Sequence, residues 1–144
     1  MHKLIIFSTI IFSAFSFSQL KKGNKAIDIS NYTEINLKKY VGKKITITGK
    51  STNEKIGAAV TLSNDKRIYI EDFNSWPKNY YLGESKSKTV KIKGILIERN
   101  DLPVFIANDD ELKQGMSVPK GTDLKQASHR FLLKNVSWKI IKND

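Results

Sequence analysis

The chain has 144 residues, with 25 Lys and Arg against 14 Asp and Glu, a formal net charge of +11, and no cysteine. Disulfides, thiolate metal sites and thiol redox chemistry are therefore excluded, and the length suits one domain with one core. The charge attracts anionic partners of every kind, from nucleic acid to acidic polysaccharide and lipid headgroups, without choosing among them; a lysine-coated surface serving only solubility accounts for it equally.

The N-terminus, Met1-His2-Lys3 followed by the uncharged run from Leu4 to Ser18, has the three-part form of a secretory signal peptide. Small residues at Ser16 and Ser18 precede the polar Gln19-Leu20-Lys21-Lys22. The apolar run of about 15 residues is shorter than the roughly 20 that cross a bilayer. Cleavage after Ser18 is expected to release the protein to the periplasm or the medium, with no cysteine at the cleavage site to carry a lipid. Residues 19–31 lack apolar periodicity and read as a flexible lead-in to a single domain over 32–144.

In that domain, Thr33 to Val41 suits one short helical turn, with Ile35, Leu37 and Val41 available for packing and Gly42 as the stop. Lys43 to Lys50 alternates Ile45 and Ile47 with Thr46 and Thr48, the period of a half-buried strand. Ala58–Ser63 and Lys66–Asp72 form a hairpin with Val60 and Leu62 opposite Ile68 and Ile70. Its turn, Ser63-Asn64-Asp65-Lys66, holds residues that tolerate positive φ. Arg67, Tyr69 and Glu71 are its outward set.

Between Phe73 and Gly83, Ser75 could cap a short helical linker with Pro77 at an early position. The next strand runs from Lys88 to Glu98. Val90 and Ile92 alternate with Lys91 and Lys93 up to Gly94, after which Ile95 and Ile97 change phase; this predicts a bend or bulge at Gly94. Val104-Phe105-Ile106 is a short extended piece, Asn108 to Ser128 a long excursion, and His129 to Ile141 a closing strand in which Trp138 falls on the core face.

Tyr40-Val41-Gly42 ahead of a strand ending at Gly49 is echoed by Tyr81-Leu82-Gly83 ahead of a strand reaching Gly94. These phrases resemble the openings of the first and fourth strands in small exported bacterial OB-fold domain proteins, and the strand order agrees with that family over about 100 residues. The resemblance implies a mainly β fold: a five-stranded OB-like barrel with a short helical linker and a long loop before the last strand. It also implies a ligand face on the second and third strands. Carried over by position, that face is Arg67, Tyr69 and Glu71, with Trp76 at its edge and the 99–128 loop overhanging it. Against a nucleic-acid ligand stands the single outward aromatic, Tyr69, where a strand-binding face offers several.

Lys91 and Lys93, with Lys88, make a basic row that would either neutralise a partner's phosphates or sulfates or keep an edge strand from aggregating. His129 is the one histidine after the leader and suits an ordinary hydrogen-bonding role. Asp109-Asp110-Glu111 lacks the spacing of a calcium loop. Calcium nucleases share the exported, basic OB character, yet Arg67, Arg99 and Arg130 with Glu71, Glu98 and Asp101 do not reproduce their arrangement. No residue pattern implies a cofactor, a metal or a reaction. The expectation is a non-enzymatic binding domain for an anionic ligand, or alternatively a protein interaction or inhibitor module that uses the 99–128 loop.

Overall fold

The computed structural model describes residues 25–30, 36–81, 83, 86–107 and 115–141. The expected leader, Ile35, Leu82 and Asp109-Asp110-Glu111 lie outside them. The strands are β1 (Ile27–Asp28), β2 (Lys44–Glu54), β3 (Gly57–Thr61), β4 (Arg67–Ile70), β5 (Thr89–Asn100), β6 (Val104–Ile106), β7 (Met116–Val118) and β8 (His129–Ile140). A 3-10 turn spans Leu37–Tyr40 and one short helix, α1, spans Leu124–Ala127.

β2 pairs antiparallel with both β3 and β5, β3 pairs antiparallel with β4, and β5 pairs antiparallel with β8. β4 and β8 run parallel, through Tyr69 beside Leu132 and Ile70 beside Leu133. Five strands thus close in the order β2, β3, β4, β8, β5, giving a small mainly β barrel, the fold class expected. Its interior is aliphatic: Ile45, Ile47, Val60, Ile68, Val90, Ile92, Leu96 and Leu133 are all fully buried. Each such side chain contributes on the order of 1.5–3 kcal/mol. The predicted hairpin forms with Val60 opposite Ile68, while Leu62 pairs with Lys66 across the turn and not with Ile70, and Asp65 takes the positive φ, 60°, that this turn needs.

The structure moves four of the expected features. Ile27 and Asp28 pair with Ile45 and Thr46, and Ile29 is fully buried, so the last residues of the expected lead-in belong to the sheet. They occupy the edge of β2 that β3, which reaches only Lys50, leaves open. The segment after Ser75 is a turn, closed by the Tyr80 N–H on the Pro77 carbonyl at 3.1 Å, and the short helix stands instead before β8. Asn79, at φ 76°, takes a left-handed conformation that a right-handed helix cannot continue through.

Gly94 does mark an irregularity: the β5–β8 register shifts between Lys93 and Ile95. The extra residue lies on β8, where Asn135 has φ 53°. Consequently β5 keeps its phase, with Gly94 and Leu96 inward and Ile95 and Ile97 half-buried, while the core-facing set on β8 shifts from Leu133 to Val136 and Trp138. Finally, β5 is paired along both sides, so Lys91 and Lys93 do not protect an edge strand.

Gly49 permits the barrel to close. A Cβ there would stand 2.4 Å from the Thr61 carbonyl oxygen and 2.6 Å from Val60 Cγ1, at the point where β3 leaves β2 and β1 takes over. Gly49→Ala is expected to lower stability by about 2–3 kcal/mol through overpacking. Gly42→Ala, which meets nothing within 4 Å but has φ +80°, should cost only about 1 kcal/mol. Urea midpoints of the two variants test the order; a smaller loss at Gly49 would show that β2 can straighten.

A basic groove as the candidate functional site

Strand directions divide the barrel into two unlike ends. At one, the β2–β3 turn meets the β4–β5 connection, and four rings fill the opening. Trp76 and Tyr80 stack at 5.5 Å, and Trp76 meets Phe73 and Trp138 edge-on at 5.6 and 5.4 Å. The Trp76 indole N–H donates to the Ala59 carbonyl at 2.8 Å, and the ring is 4 % exposed. Trp76, expected at the edge of a ligand face, is therefore a core residue: sealing the barrel end buries a large ring and satisfies its only polar atom. The fully buried Ser51 locks this cap, its hydroxyl donating to the Tyr80 carbonyl at 2.5 Å and accepting from the Lys88 N–H at 3.1 Å.

At the other end β5 finishes while β4 and β8 begin, and here an open groove of about 1290 Å³ lies between four segments. The 3-10 turn supplies Asn36, Leu37 and Lys38, and the hairpin turn supplies Asn64, Lys66 and Arg67. Glu98, Asn100, His129 and Phe131 line it from β5 and β8, and Asp123, Lys125 and Gln126 from α1. Beside α1, β6 and β7 pair in parallel, and the Leu102 N–H ties back to the Ser128 carbonyl at 3.0 Å. The long loop of the sequence is thus partly built structure, and it adjoins the opposite end of the barrel from Trp76.

The groove's charge is lopsided. Lys38, Lys66, Arg67 and Lys125 face two carboxylates, both of which have internal partners. Glu98 Oε2 lies 2.9 Å from His129 Nε2, and Asp123 Oδ1 caps α1 by accepting from the Lys125 and Gln126 N–H groups at 2.9 and 3.2 Å. Arg67 Nε also reaches Glu54 at 3.3 Å, an exposed pair of small energetic weight.

The expected outer face does gather Arg67, Tyr69 and Glu71, but it is occupied by its own side chains. Arg130 clamps Asp101 through Nε and Nη2 at 2.5 and 2.9 Å and lies 5.3 Å above the Tyr69 ring. That bond to Arg130 is the main reason the Asp101 carboxyl is held below its ordinary range. Burial, followed by the nearby Glu54 carboxylate, pushes the Tyr69 phenol up. Glu71 binds Arg99 across β8. Beneath this polar cover Leu132 is only 2 % exposed although it points away from the barrel interior.

Lys91 Nζ pairs with Asp28 at 2.7 Å, and Lys93 is exposed on the same strand, away from the groove. Of the six residues expected to bind, Arg67 alone lines the groove. The sequence signal that could have found the rest is an amide beside a cation, as in Asn36-Leu37-Lys38, Asn64-Asp65-Lys66-Arg67, Arg99-Asn100 and Lys125-Gln126. In a lysine-rich chain such neighbours carry little information until folding assembles them.

Two outcomes follow. Trp76→Ala should lose about 3–5 kcal/mol in urea unfolding; a variant of wild-type stability would remove the indole from the core. The hydrogen bond from Lys91, then those from Ser30, lower the Asp28 pKa from 3.8 to about 2. A depressed carboxylate stabilises the fold above its unfolded pKa, and that contribution is lost as pH falls from 3.8 through about 2. In Lys91→Met the Asp28 titration, followed by NMR, should move up toward 3.8 and the acid limb of stability should become shallower over the same range. An unmoved midpoint would remove Lys91 as the cause.

No protein-family model, curated protein or solved structure matches this chain.

Proposed function

We propose that this chain is an exported, non-enzymatic binding domain with an OB-like barrel, and that a ligand with an anionic component lies in the groove at the open barrel end. The ring order supports the OB-like reading: counted along the barrel, the strands run first, second, third, fifth, fourth, with the third and fifth parallel. Export rests on the signal-peptide form of residues 1–18.

The observation that carries the binding site is the imbalance of charge in the groove. Four cations on three separate elements surround a space whose two acids already have partners, so an incoming carboxylate, sulfate or phosphate meets little competition. A second reading, a protein partner that docks on β7 and α1, is favoured by the exposure of Met116 at 52 % and Leu124 at 40 %.

The two readings part under salt. Labelled anionic polymers, namely polyphosphate, single-stranded DNA and a uronate oligosaccharide, are titrated at rising ionic strength against wild type and the triple variant Lys38→Gln, Arg67→Gln, Lys125→Gln. At least one polymer should bind, lose affinity steeply with salt, and weaken about tenfold or more in the triple variant. Lys93→Gln should leave binding unchanged. Failure of every polymer to bind, or binding indifferent to the triple variant, would overturn the anionic groove.

A further inference from the structure

Resting on that groove, we infer that its ligand is an acidic oligosaccharide, a chain of sugars bearing carboxylate or sulfate, and not a nucleic acid. The chemistry of the groove divides into three kinds of group. The first is the set of cations, which recognises any anion and decides nothing further. The second is a set of four side-chain amides, Asn36, Asn64, Asn100 and Gln126, one on each of the segments that bound the groove; Asn64 Oδ1 already accepts from the Lys66 N–H at 3.2 Å, so Asn36 and Gln126 are the two that face the space with both halves.

A side-chain amide presents a donor and an acceptor in one plane. Neighbouring hydroxyls on a sugar ring present the same pairing, because each hydroxyl both donates and accepts. A phosphodiester backbone offers acceptors alone, so the acceptor halves of Asn36 and Gln126 would go unused against it, and only base edges turned into the groove could meet them. Asn36 is informative here. It sits at the N-cap of the 3-10 turn, where a short polar side chain ordinarily caps, yet it makes no capping bond and instead lines the groove. Asn100 gives its Nδ2 to the Lys125 carbonyl at 2.5 Å, which aligns α1 with β5 and leaves Oδ1 as an acceptor.

The third kind of group is the apolar floor, Leu37 and Phe131, the latter braced edge-on by His129 at 4.8 Å. One ring is enough to pack against the C–H face of one sugar. Sequence-tolerant binding of single strands calls for several aromatic faces in succession, and among the described residues the groove holds one phenylalanine and no tyrosine or tryptophan. Elsewhere Arg130 covers Tyr69, and Trp76 is sealed in the core. Cations, amides and a single ring together fit a sugar acid better than a row of bases.

The test compares, by fluorescence anisotropy, a labelled hexameric uronate oligosaccharide and a single-stranded hexanucleotide whose 5′ label is attached through a sixth phosphodiester, so that each carries six negative charges. A neutral hexasaccharide of the same linkage serves as competitor. The uronate is expected to bind about tenfold more tightly than the hexanucleotide. Asn36→Ala and Gln126→Ala remove exposed side chains that no other element uses, so both variants keep the fold. Each should weaken the uronate about three- to tenfold, the worth of a net hydrogen bond, and leave the hexanucleotide within about twofold.

Equal or tighter binding of the hexanucleotide, weakened by Phe131→Leu and untouched by Asn36→Ala, would overturn the sugar assignment while the anionic groove stood. Loss of the neutral competitor's effect would do the same, since it would leave charge as the whole of recognition. Uronate binding that Lys125→Gln does not weaken would overturn the groove itself.

Discussion

The barrel depends on one strand serving three partners. β2 must hold β5 along one side while its other side passes from β1 to β3, and eleven residues can do this only by bending where the carbonyl of Thr61 comes against the backbone of Gly49. A similar device lies on the neighbouring strand at Gly94, where β8 inserts an extra residue and the Lys134 carbonyl lies 2.9 Å from the place a Cβ would occupy. The two glycines are therefore points of backbone contact where a sheet curves into a tube. Once closed, the tube leaves an aliphatic interior and two openings to fill.

The openings are filled by opposite means. Phe73, Trp76, Tyr80 and Trp138 close one end with rings that pack on one another, and the indole and Ser51 settle their polar atoms internally. At the other end Leu37 is the buried plug, and the side chains around it are amides and cations. An end whose polar groups point outward in a ring is suited to a polar occupant. The segment holding β6, β7 and α1 is tied down at its root by the Leu102–Ser128 and Asn100–Lys125 hydrogen bonds.

Between the two ends, the outer face of β4, β8 and β5 shows why strand polarity is a poor guide to binding. Arg67, Tyr69 and Glu71 do share one face, as alternation requires, but three cross-strand ion pairs and an Arg130–Tyr69 contact spend that polarity inside the molecule. Such pairs add little stability where they are exposed. Their larger effect is to shield the outward Leu132, which has no other means of leaving water.

What the chain order of residues determined alone is what depends on nearest neighbours. Alternating isoleucine and valine dictated which residues of β2, β4 and the first half of β5, up to Ile92, face inward, Asp65 in a four-residue turn dictated the hairpin, and Gly94 marked a break in the ladder, though the phase change expected after it did not occur on β5. Tertiary structure alone decided the burial of Trp76, the placement of the bulge on β8, the entry of Ile27 to Ile29 into the sheet, and the gathering of Asn36, Asn64, Asn100 and Gln126 around one groove. Each of these joins segments distant along the chain. Periodicity reports the direction of a side chain relative to its own strand, whereas the partner it meets is set only when the ring closes.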